Sequence, residues 1–373
     1  MRQNVVVIID CLRANAEEFR ERTQQLFTRA RPEALLLFPT PAHSSLVDAA
    51  CYLIQRAPFD EKTVSVLRQL AAEHLRFGAR PEHYPVFAQA MCSALNAIAK
   101  GQVSAEEISE TEGIFIKAAE IMAIAAREAE AGGERITYHG KVVATQQRSR
   151  DIYVVRLEAE QIPFTAGQYL PVTMPLLGGH WRFLSPALPP NRYGHMEFHI
   201  RATDECSRTL AKARIGDEWV FGTPLGQMHV DYRRDILMIA HTTGLASMRA
   251  MLLELVAQQG QPRVHLFFGA EYPGELYDLL DLWNIASTAP WLSVIPVSTN
   301  ATDSWFVGAT KHSKPPRGLH LRQTGTLGEV VTSYGTWDDR DILIAGPPNE
   351  VKAIKEAMIE AGTPLAIIQH DPL

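Results

Sequence analysis

His74 is the first side chain whose type and position suggest chemistry. A helical pattern ends near Phe77 and Gly78, which places His74 in its last full turn, and a proline at position 81 predicts that a new helix begins at 80–82. A neutral imidazole in such a place can bind a haem iron. The alternative is a surface histidine or a satisfied core histidine, and helical spacing alone leaves both open.

Two glycine-containing turns could bind a nucleotide. Residues 240–247 read Ala-His-Thr-Thr-Gly-Leu-Ala-Ser after an apolar run, and residues 345–348 read Ala-Gly-Pro-Pro after another. A glycine lets the backbone approach a pyrophosphate, which then lies at the start of the following helix. Gly244 and Gly346 are therefore candidate nucleotide-binding residues.

The elements that must position these residues change along the chain. Residues 1 to about 130 have helical periodicity, and a capping-box sequence at 104–107 opens a long helix that runs to about 130. After a glycine-rich linker at 131–135, short β-branched segments separated by glycine and proline predict an antiparallel barrel. From 235 the pattern alternates strand and helix, which predicts a doubly wound α/β domain.

Size, charge and cysteine content narrow the function classes. A chain of 373 residues with a net charge of −6 predicts two or three domains and argues against a nucleic-acid partner. The apolar run at 5–9 is too short to span a membrane. The cysteines are scattered without a CxxC pair, which favours reduced thiols in a cytoplasm and excludes a plant-type iron–sulfur cluster; they are Cys11, Cys51, Cys92 and Cys206.

The order of these segments and the amino-acid sequence around His74 resemble those of the flavohaemoglobins. The resemblance implies a multidomain fold, with an all-α globin domain at 1–131, an antiparallel β-barrel FAD domain at 136–230 and an α/β doubly wound NAD(P)-binding domain at 231–373. It also implies a haem b whose iron is bound by His74, with Tyr84 and Glu128 orienting the imidazole.

On the distal side of that haem the chain departs from the family. Gln24, or Thr23 if a gap is allowed, stands where flavohaemoglobins place an oxygen-binding tyrosine, and Phe38 matches the phenylalanine that packs on the haem face. The amide of Gln24 can still donate a hydrogen bond. We therefore expect Gln24 to take the catalytic role of the missing tyrosine.

The second half resembles the ferredoxin-reductase-like module. The resemblance implies that Arg182 meets the flavin pyrophosphate and that Leu184, in place of tyrosine, and Ser185 lie near the isoalloxazine. Further flavin contacts are expected from a Gly-Gln-Tyr segment and from a phosphate loop that has lost its glycine; these contacts are Gln168, Tyr169 and Ser207.

The nicotinamide motif is altered in the same half. His241 and Thr242 fill the places of two small residues, Ser247 replaces a proline and Ala345 replaces a cysteine. Thr243, Gly244, Gly346 and Pro347 match the motif, which implies that NAD(P)H binds there.

The implied activity passes electrons from NAD(P)H through FAD to haem, for oxygen-dependent conversion of nitric oxide to nitrate. The expected partners are small molecules, namely O2, NO and NAD(P)H, with no nucleic acid and no membrane. Two alternatives stay open: a haem-free NAD(P)H flavin oxidoreductase, and a sensor or binding protein with a degenerate reductase half. The choice between NADH and NADPH and the oligomeric state also stay open.

Overall fold

The computed structural model describes residues 2–32, 45–132, 135–303, 314–316 and 319–371. For residues 2–5 and 45 it describes the backbone alone. The chain forms two compact units. The first, here the helical unit, comprises Met1–Thr137 and Gly178–His180, and the second, here the reductase unit, comprises Tyr138–Leu177 and Trp181–Leu373.

The described part of the helical unit is built from α-helices. They are α1 (Arg2–Ala14), α2 (Ala16–Ala30), α3 (Ser45–Arg56), α4 (Glu61–Leu75), α5 (His83–Ile98) and α6 (Ala105–Ala131). One apolar cluster contains Leu12, Phe19 and Phe115, and an alanine-rich cluster packs around Ala71 and Tyr84. Small residues there let α4, α5 and α6 approach closely.

Local capping sets where two of these helices begin. The Ser104 hydroxyl accepts from the Glu107 N–H at 3.2 Å and the Glu107 carboxylate accepts from the Ser104 N–H at 2.9 Å, which confirms the capping box of α6. Helix α5 begins at His83, later than the proline predicts, because the Arg80 N–H donates to the His83 Nδ1 at 3.1 Å and closes a turn there instead.

The first part of the reductase unit is an antiparallel sheet with the order β4-β3-β6-β1-β2-β5. Its elements are β1 (Thr137–Gln147), β2 (Ile152–Ala159), β3 (Leu170–Thr173), β4 (Arg182–Leu184), β5 (His195–Arg201), α7 (Glu205–Ala211) and β6 (Glu218–Gly222). A bridge between Pro186 and Phe198 brings the chain after β4 against β5, so the sheet nearly closes on itself. Phe198, Trp219 and Phe221 fill its interior. We call this part the barrel.

The second part of the reductase unit is a parallel sheet with the order β10-β9-β8-β7-β11-β12. Its elements are β7 (Ile236–His241), α8 (Leu245–Val256), β8 (Val264–Ala270), α9 (Leu279–Thr288), β9 (Leu292–Ser298), β10 (Gln323–Thr324), α10 (Leu327–Thr332), β11 (Asp341–Ala345), α11 (Pro348–Glu360) and β12 (Ile368–Gln369). The strand order reverses between β7 and β11, and ligands of such sheets bind beyond the carboxyl ends of the strands at that point. We call this part the parallel-sheet region.

The fold outcome agrees with the predicted architecture of helices, then an antiparallel near-barrel, then a doubly wound sheet. No helix among the described residues combines the length and the apolar character needed to cross a membrane.

Candidate functional site

In the helical unit, His74 lies in the last turn of α4 and stacks on an aromatic ring. Its imidazole is nearly parallel to the ring of Tyr84, at 12° with the centroids 6.3 Å apart. Burial, with a smaller contribution from the charge of Arg76, lowers the pKa of His74 to about 4. The imidazole is therefore neutral at neutral pH, which is the form that binds a metal.

The residues expected to orient His74 have other partners. The Tyr84 hydroxyl donates to the Ala71 carbonyl at 3.2 Å, and the Glu128 carboxylate pairs with Arg68 on α4. The described residues thus show ring stacking on His74 without a hydrogen-bonded chain from Glu128 to the imidazole. Burial raises the pKa of Tyr84 above its usual range, so its hydroxyl stays protonated.

The remaining expectations for a haem concern α2 and the segment after it. Gln24 is half-buried on α2, beside Thr23, whose hydroxyl donates to the Phe19 carbonyl at 2.7 Å. Phe38 lies outside the described residues. The described part holds no group of three or more His, Cys, Asp or Glu side chains able to bind a metal ion.

In the reductase unit, the barrel and the parallel-sheet region share a cavity of about 330 Å³, here the central cavity. Its lining residues come from β4, β5, α7 and the two turns after β7 and β11; they are Arg182, Leu184, His199, Ile200, Arg201, Thr203, Ser207, Leu210, Thr242, Thr243 and Pro347. The cavity therefore lies where the strand order reverses, as expected for a ligand site of this fold.

Five predicted residues meet at this cavity: Arg182, Leu184, Ser207, Thr243 and Pro347. The two turns behind it are packed tightly. A Cβ at Gly244 would lie 2.3 Å from the Ala345 carbonyl oxygen, and a Cβ at Gly346 would lie 2.9 Å from the Cβ of His241. These two glycines are therefore required for close approach of the β7 and β11 turns.

Three other predicted residues support the barrel next to the cavity. Gln168 accepts from the Thr165 N–H at 3.0 Å, and the Tyr169 backbone pairs with Leu225. Ser185 follows β4, is half-buried and makes no side-chain hydrogen bond within the described part of the chain. Of these three, the Ser185 hydroxyl is available to a ligand.

Arg182 and Ser207 are joined by Asp204 at the start of α7. Arg182 Nη2 lies 3.0 Å from Asp204 Oδ2, while Asp204 Oδ1 accepts from the Ser207 N–H at 2.9 Å. Although desolvation raises the pKa of Asp204, its hydrogen bonds and Arg182 outweigh that effect and lower it. The guanidinium at the cavity is therefore neutralised by a carboxylate of the chain itself.

The altered nucleotide turn carries a strained residue and a buried imidazole. Thr242 has φ of +49°, a conformation that favours glycine and costs other residues of order 1 kcal/mol. Its hydroxyl and the His241 Nδ1 are buried without hydrogen-bond partners among the described residues. Burial lowers the pKa of His241, with Glu350 acting in the opposite direction. Of these two residues, Thr242 lines the central cavity.

A buried polar cluster, which the sequence analysis missed, forms one wall of the cavity. His199 bonds Tyr277 Oη at 2.9 Å and Glu197 at 3.1 Å, and Arg249 lies 3.2 Å from Glu197. Arg249 also lies 3.0 Å from the buried carboxylate of Asp278. The signal was present in β5, where Glu197 and His199 interrupt an apolar strand at alternate positions.

The charges within this cluster hold Glu197 ionised. Burial alone would raise the pKa of Glu197, but the hydrogen bond from His199 and the charge of Arg249 bring it down to about 2. Burial raises the pKa of Tyr277, so that phenol stays neutral. Since both ring nitrogens of His199 are engaged, this residue positions the cavity wall.

The C-terminal residues of the described chain return to the barrel. Asp371 accepts from the Gln227 N–H at 3.1 Å, and Gln369 accepts from the His229 N–H at 3.3 Å. This docking ties β12 to the segment that follows β6.

Comparison with known proteins agrees with the barrel assignment. Residues 139–230 match the family model described as Oxidoreductase FAD-binding domain. The reductase component DmpP of phenol 2-monooxygenase from Pseudomonas sp. (strain CF600) is 31% identical over 172 residues, which cover 44% of this chain and 48% of that protein. The chain therefore spans about half the length of this relative.

Two further similarities differ in their extent. An NAD(P)H-flavin reductase from Aliivibrio fischeri is 28% identical over 218 residues, covering 55% of this chain and 85% of that protein. A flavohemoglobin from Malassezia yamatoensis, solved with bound FAD and heme, has 16% identity and a TM-score of 0.66, and the match covers 98% of each chain. At that identity the likeness shows the fold alone.

Proposed function

We propose that this chain is an NAD(P)H-dependent flavin oxidoreductase. The observation that carries the proposal is the central cavity, in which Arg182, Leu184 and Ser207 of the barrel meet Thr243 and Pro347 of the parallel-sheet region. A bound flavin would supply the redox chemistry by accepting a hydride from the nicotinamide. The match to an FAD-binding domain and the similarity to an NAD(P)H-flavin reductase support this reaction class.

The chain's own residues would bind and orient the two ligands. Leu184 offers apolar surface in the cavity, and the Ser185 hydroxyl next to it can bond a polar ring atom. Thr243 lies at the nucleotide turn, whose closeness to the β11 turn depends on Gly244 and Gly346. The buried Glu197–His199–Tyr277 chain fixes one wall of the cavity.

The proposal is tested by flavin reduction in the absence of oxygen. The purified chain is mixed with riboflavin or FAD, NADH or NADPH is added, and the visible absorbance of the flavin is followed. We expect bleaching with at least one nucleotide, and a rate about tenfold lower in Thr243→Val. Thr209→Val is the matched control, because Thr209 lies in α7, does not line the cavity and donates its hydroxyl to the Glu205 carbonyl. Failure of both nucleotides to reduce either flavin would favour a sensor or binding protein.

A second, finer proposal adds a haem to the helical unit. Its support is the neutral His74 imidazole, together with the flavohaemoglobin-like fold. Haem b on His74 would supply oxygen chemistry, and the activity would be oxygen-dependent nitric oxide dioxygenation with electrons from NAD(P)H and FAD. Tyr84 would support the ligand by stacking, and Glu128 would have to leave Arg68 to bond it.

Haem titration separates this proposal from a haem-free reductase. The purified chain is titrated with haemin, and the Soret band is recorded before and after anaerobic NADH. We expect a Soret band in the wild-type chain and its loss in His74→Ala. The control is His83→Gln, which should keep the band, because the His83 imidazole accepts the Arg80 N–H through its Nδ1. If the wild-type chain forms no Soret band, the helical unit has a packing or partner-recognition role and the flavin reductase proposal stands alone. If the wild-type chain does bind haem, Gln24→Ala tests whether the Gln24 amide bonds oxygen on the distal side. An unchanged autoxidation rate in this variant would contradict that role.

A further inference from the structure

The central cavity contains two arginines, and each is neutralised by carboxylates of the chain. Arg182 lies 3.0 Å from Asp204, and Arg201 lies 2.9 Å from Asp151 and 3.4 Å from Glu275. Arginine is the side chain best suited to bind phosphate, because its planar fork matches two oxygen atoms. Here those forks are directed at carboxylates.

The backbone beside Arg182 is also occupied. The N–H of Ser207 donates to the Asp204 carboxylate at 2.9 Å, and the N–H groups of Thr203 and Asp204 donate to the Ser207 hydroxyl at 3.1 and 3.0 Å. Asp204 therefore caps α7 and pairs with Arg182 at the same time. An incoming phosphate would have to displace a carboxylate that is ionised at neutral pH.

Arg208 is a further cation next to this segment. Its guanidinium donates to the Thr203 carbonyl at 3.1 Å, and its side chain is exposed. Arg208 does not line the cavity, and the two arginines that do are paired with the carboxylates of Asp204, Asp151 and Glu275.

We propose that Asp204 determines flavin specificity, by holding its own carboxylate on Arg182 where a flavin phosphate would otherwise bind. The cavity then takes a flavin through its ring and ribityl chain and does not select FAD over riboflavin. This inference rests on the proposed flavin reductase function and names its substrate class: a flavin that binds, is reduced and leaves. In that reaction one NAD(P)H and one proton convert one oxidised flavin to its two-electron-reduced form and release NAD(P)⁺.

The test is a binding measurement that does not depend on activity. Riboflavin and FAD are titrated separately into the full chain, and quenching of flavin fluorescence gives the two dissociation constants. For the wild-type chain we expect constants within about threefold of each other. In Asp204→Asn, which keeps a good N-cap but loses the charge, FAD should bind about tenfold more tightly relative to riboflavin.

Two further variants keep the test decisive. Glu218→Gln removes a carboxylate of the same barrel that pairs with Lys141 at 3.7 Å on the exposed surface, and it should leave the ratio of the two constants unchanged. Asp204→Ser, which also retains a capping side chain, replaces Asp204→Asn if that variant does not fold.

The outcomes separate this inference from the proposed function. A wild-type chain that binds FAD more than about threefold more tightly than riboflavin would overturn the inference and leave the reductase proposal intact. An unchanged ratio in Asp204→Asn, or an equal change in Glu218→Gln, would also overturn it. If neither flavin binds, both the inference and the proposed function are wrong.

Discussion

In the helical unit the candidate polar side chains face separate partners, whereas in the reductase unit they meet around one cavity. Glu128 pairs with Arg68 and Tyr84 bonds the Ala71 carbonyl, so the contacts that the described residues make with the His74 imidazole are ring contacts. By contrast, Arg182 of β4, Ser207 of α7 and Thr243 of the turn after β7 share one cavity. The difference shows that whether predicted side chains meet at one site depends on the type of element in which they lie.

The architectural reason lies in how each element fixes direction. The carboxyl ends of parallel strands lie at one edge of a sheet by construction, so residues that follow β7 and β11 must be neighbours. Side chains on helices converge only if the helices also have the right rotation and crossing angle, which their packing decides. Motifs at strand ends are thus the more reliable guide to a site in this chain.

The largest effect is expected from the buried cluster of the reductase unit. Glu197→Gln should lower the free energy of unfolding by about 3 kcal/mol at pH 7, because Arg249 loses one of its two buried partners. Urea unfolding of the two proteins measures the difference. Glu218→Gln, which breaks an exposed pair, should change it by less than about 1 kcal/mol. Equal losses would show that the cluster has no special role.

The same cluster predicts a pH dependence with a definite sign. The pKa of Glu197 falls from 4.5 to about 2 on folding, so its ionisation stabilises the folded state above pH 4.5 and this contribution is lost as pH falls towards 2. The difference in unfolding free energy between the wild-type chain and Glu197→Gln should shrink from about 3 kcal/mol to near zero across that window. A difference that stays constant with pH would contradict the assignment.

A pair of glycine variants compares the two units directly. Gly244→Ala should destabilise the reductase unit by about 2 kcal/mol and weaken nucleotide binding, because its Cβ would meet the Ala345 backbone, which cannot move cheaply. Gly113→Ala, in α6 with no atom within 4 Å of the new Cβ, should instead stabilise the helical unit by about 0.5–1 kcal/mol. Thermal unfolding and NADH titration measure both. A loss of stability in Gly113→Ala would mean that α6 is packed differently.

The smallest effect is expected from breaking the ion pair between Glu128 and Arg68. Glu128→Gln should change the unfolding free energy by less than about 1 kcal/mol, since both Glu128 and Arg68 are about half exposed. The pKa of His74, followed by NMR of its ring protons, should not move. A rise or fall of that pKa by one unit would show that Glu128 contacts the imidazole in solution and would strengthen the haem proposal.

Much of the fold could be predicted, because local rules apply within a few residues. The period changes from helix to strand near 136, and the alternation of strand and helix from 235 predicts the parallel sheet that the structure contains. Strand β9 was missed, because Pro296 interrupts its pattern and its burial on both faces removes the alternation that marks a strand.

The candidate site was predicted less completely. Arg182 and Ser207 were identified, but their link through Asp204 was not, since the sequence shows only that a glycine is missing there. Glu197, His199 and Arg249 were also missed. A charged residue in an apolar strand signals a buried pair, but the identity of its partner depends on which distant element packs against it.

The sequence by itself determined the elements, their order and the turns that must hold small residues, because backbone hydrogen bonding, capping and side-chain periodicity act over one or two helical turns. Only the tertiary structure decided the partners: Glu128 with Arg68, Asp204 with Arg182, and Glu197 with Arg249. An ion pair forms only between groups brought within about 4 Å, and packing alone sets those distances across the chain.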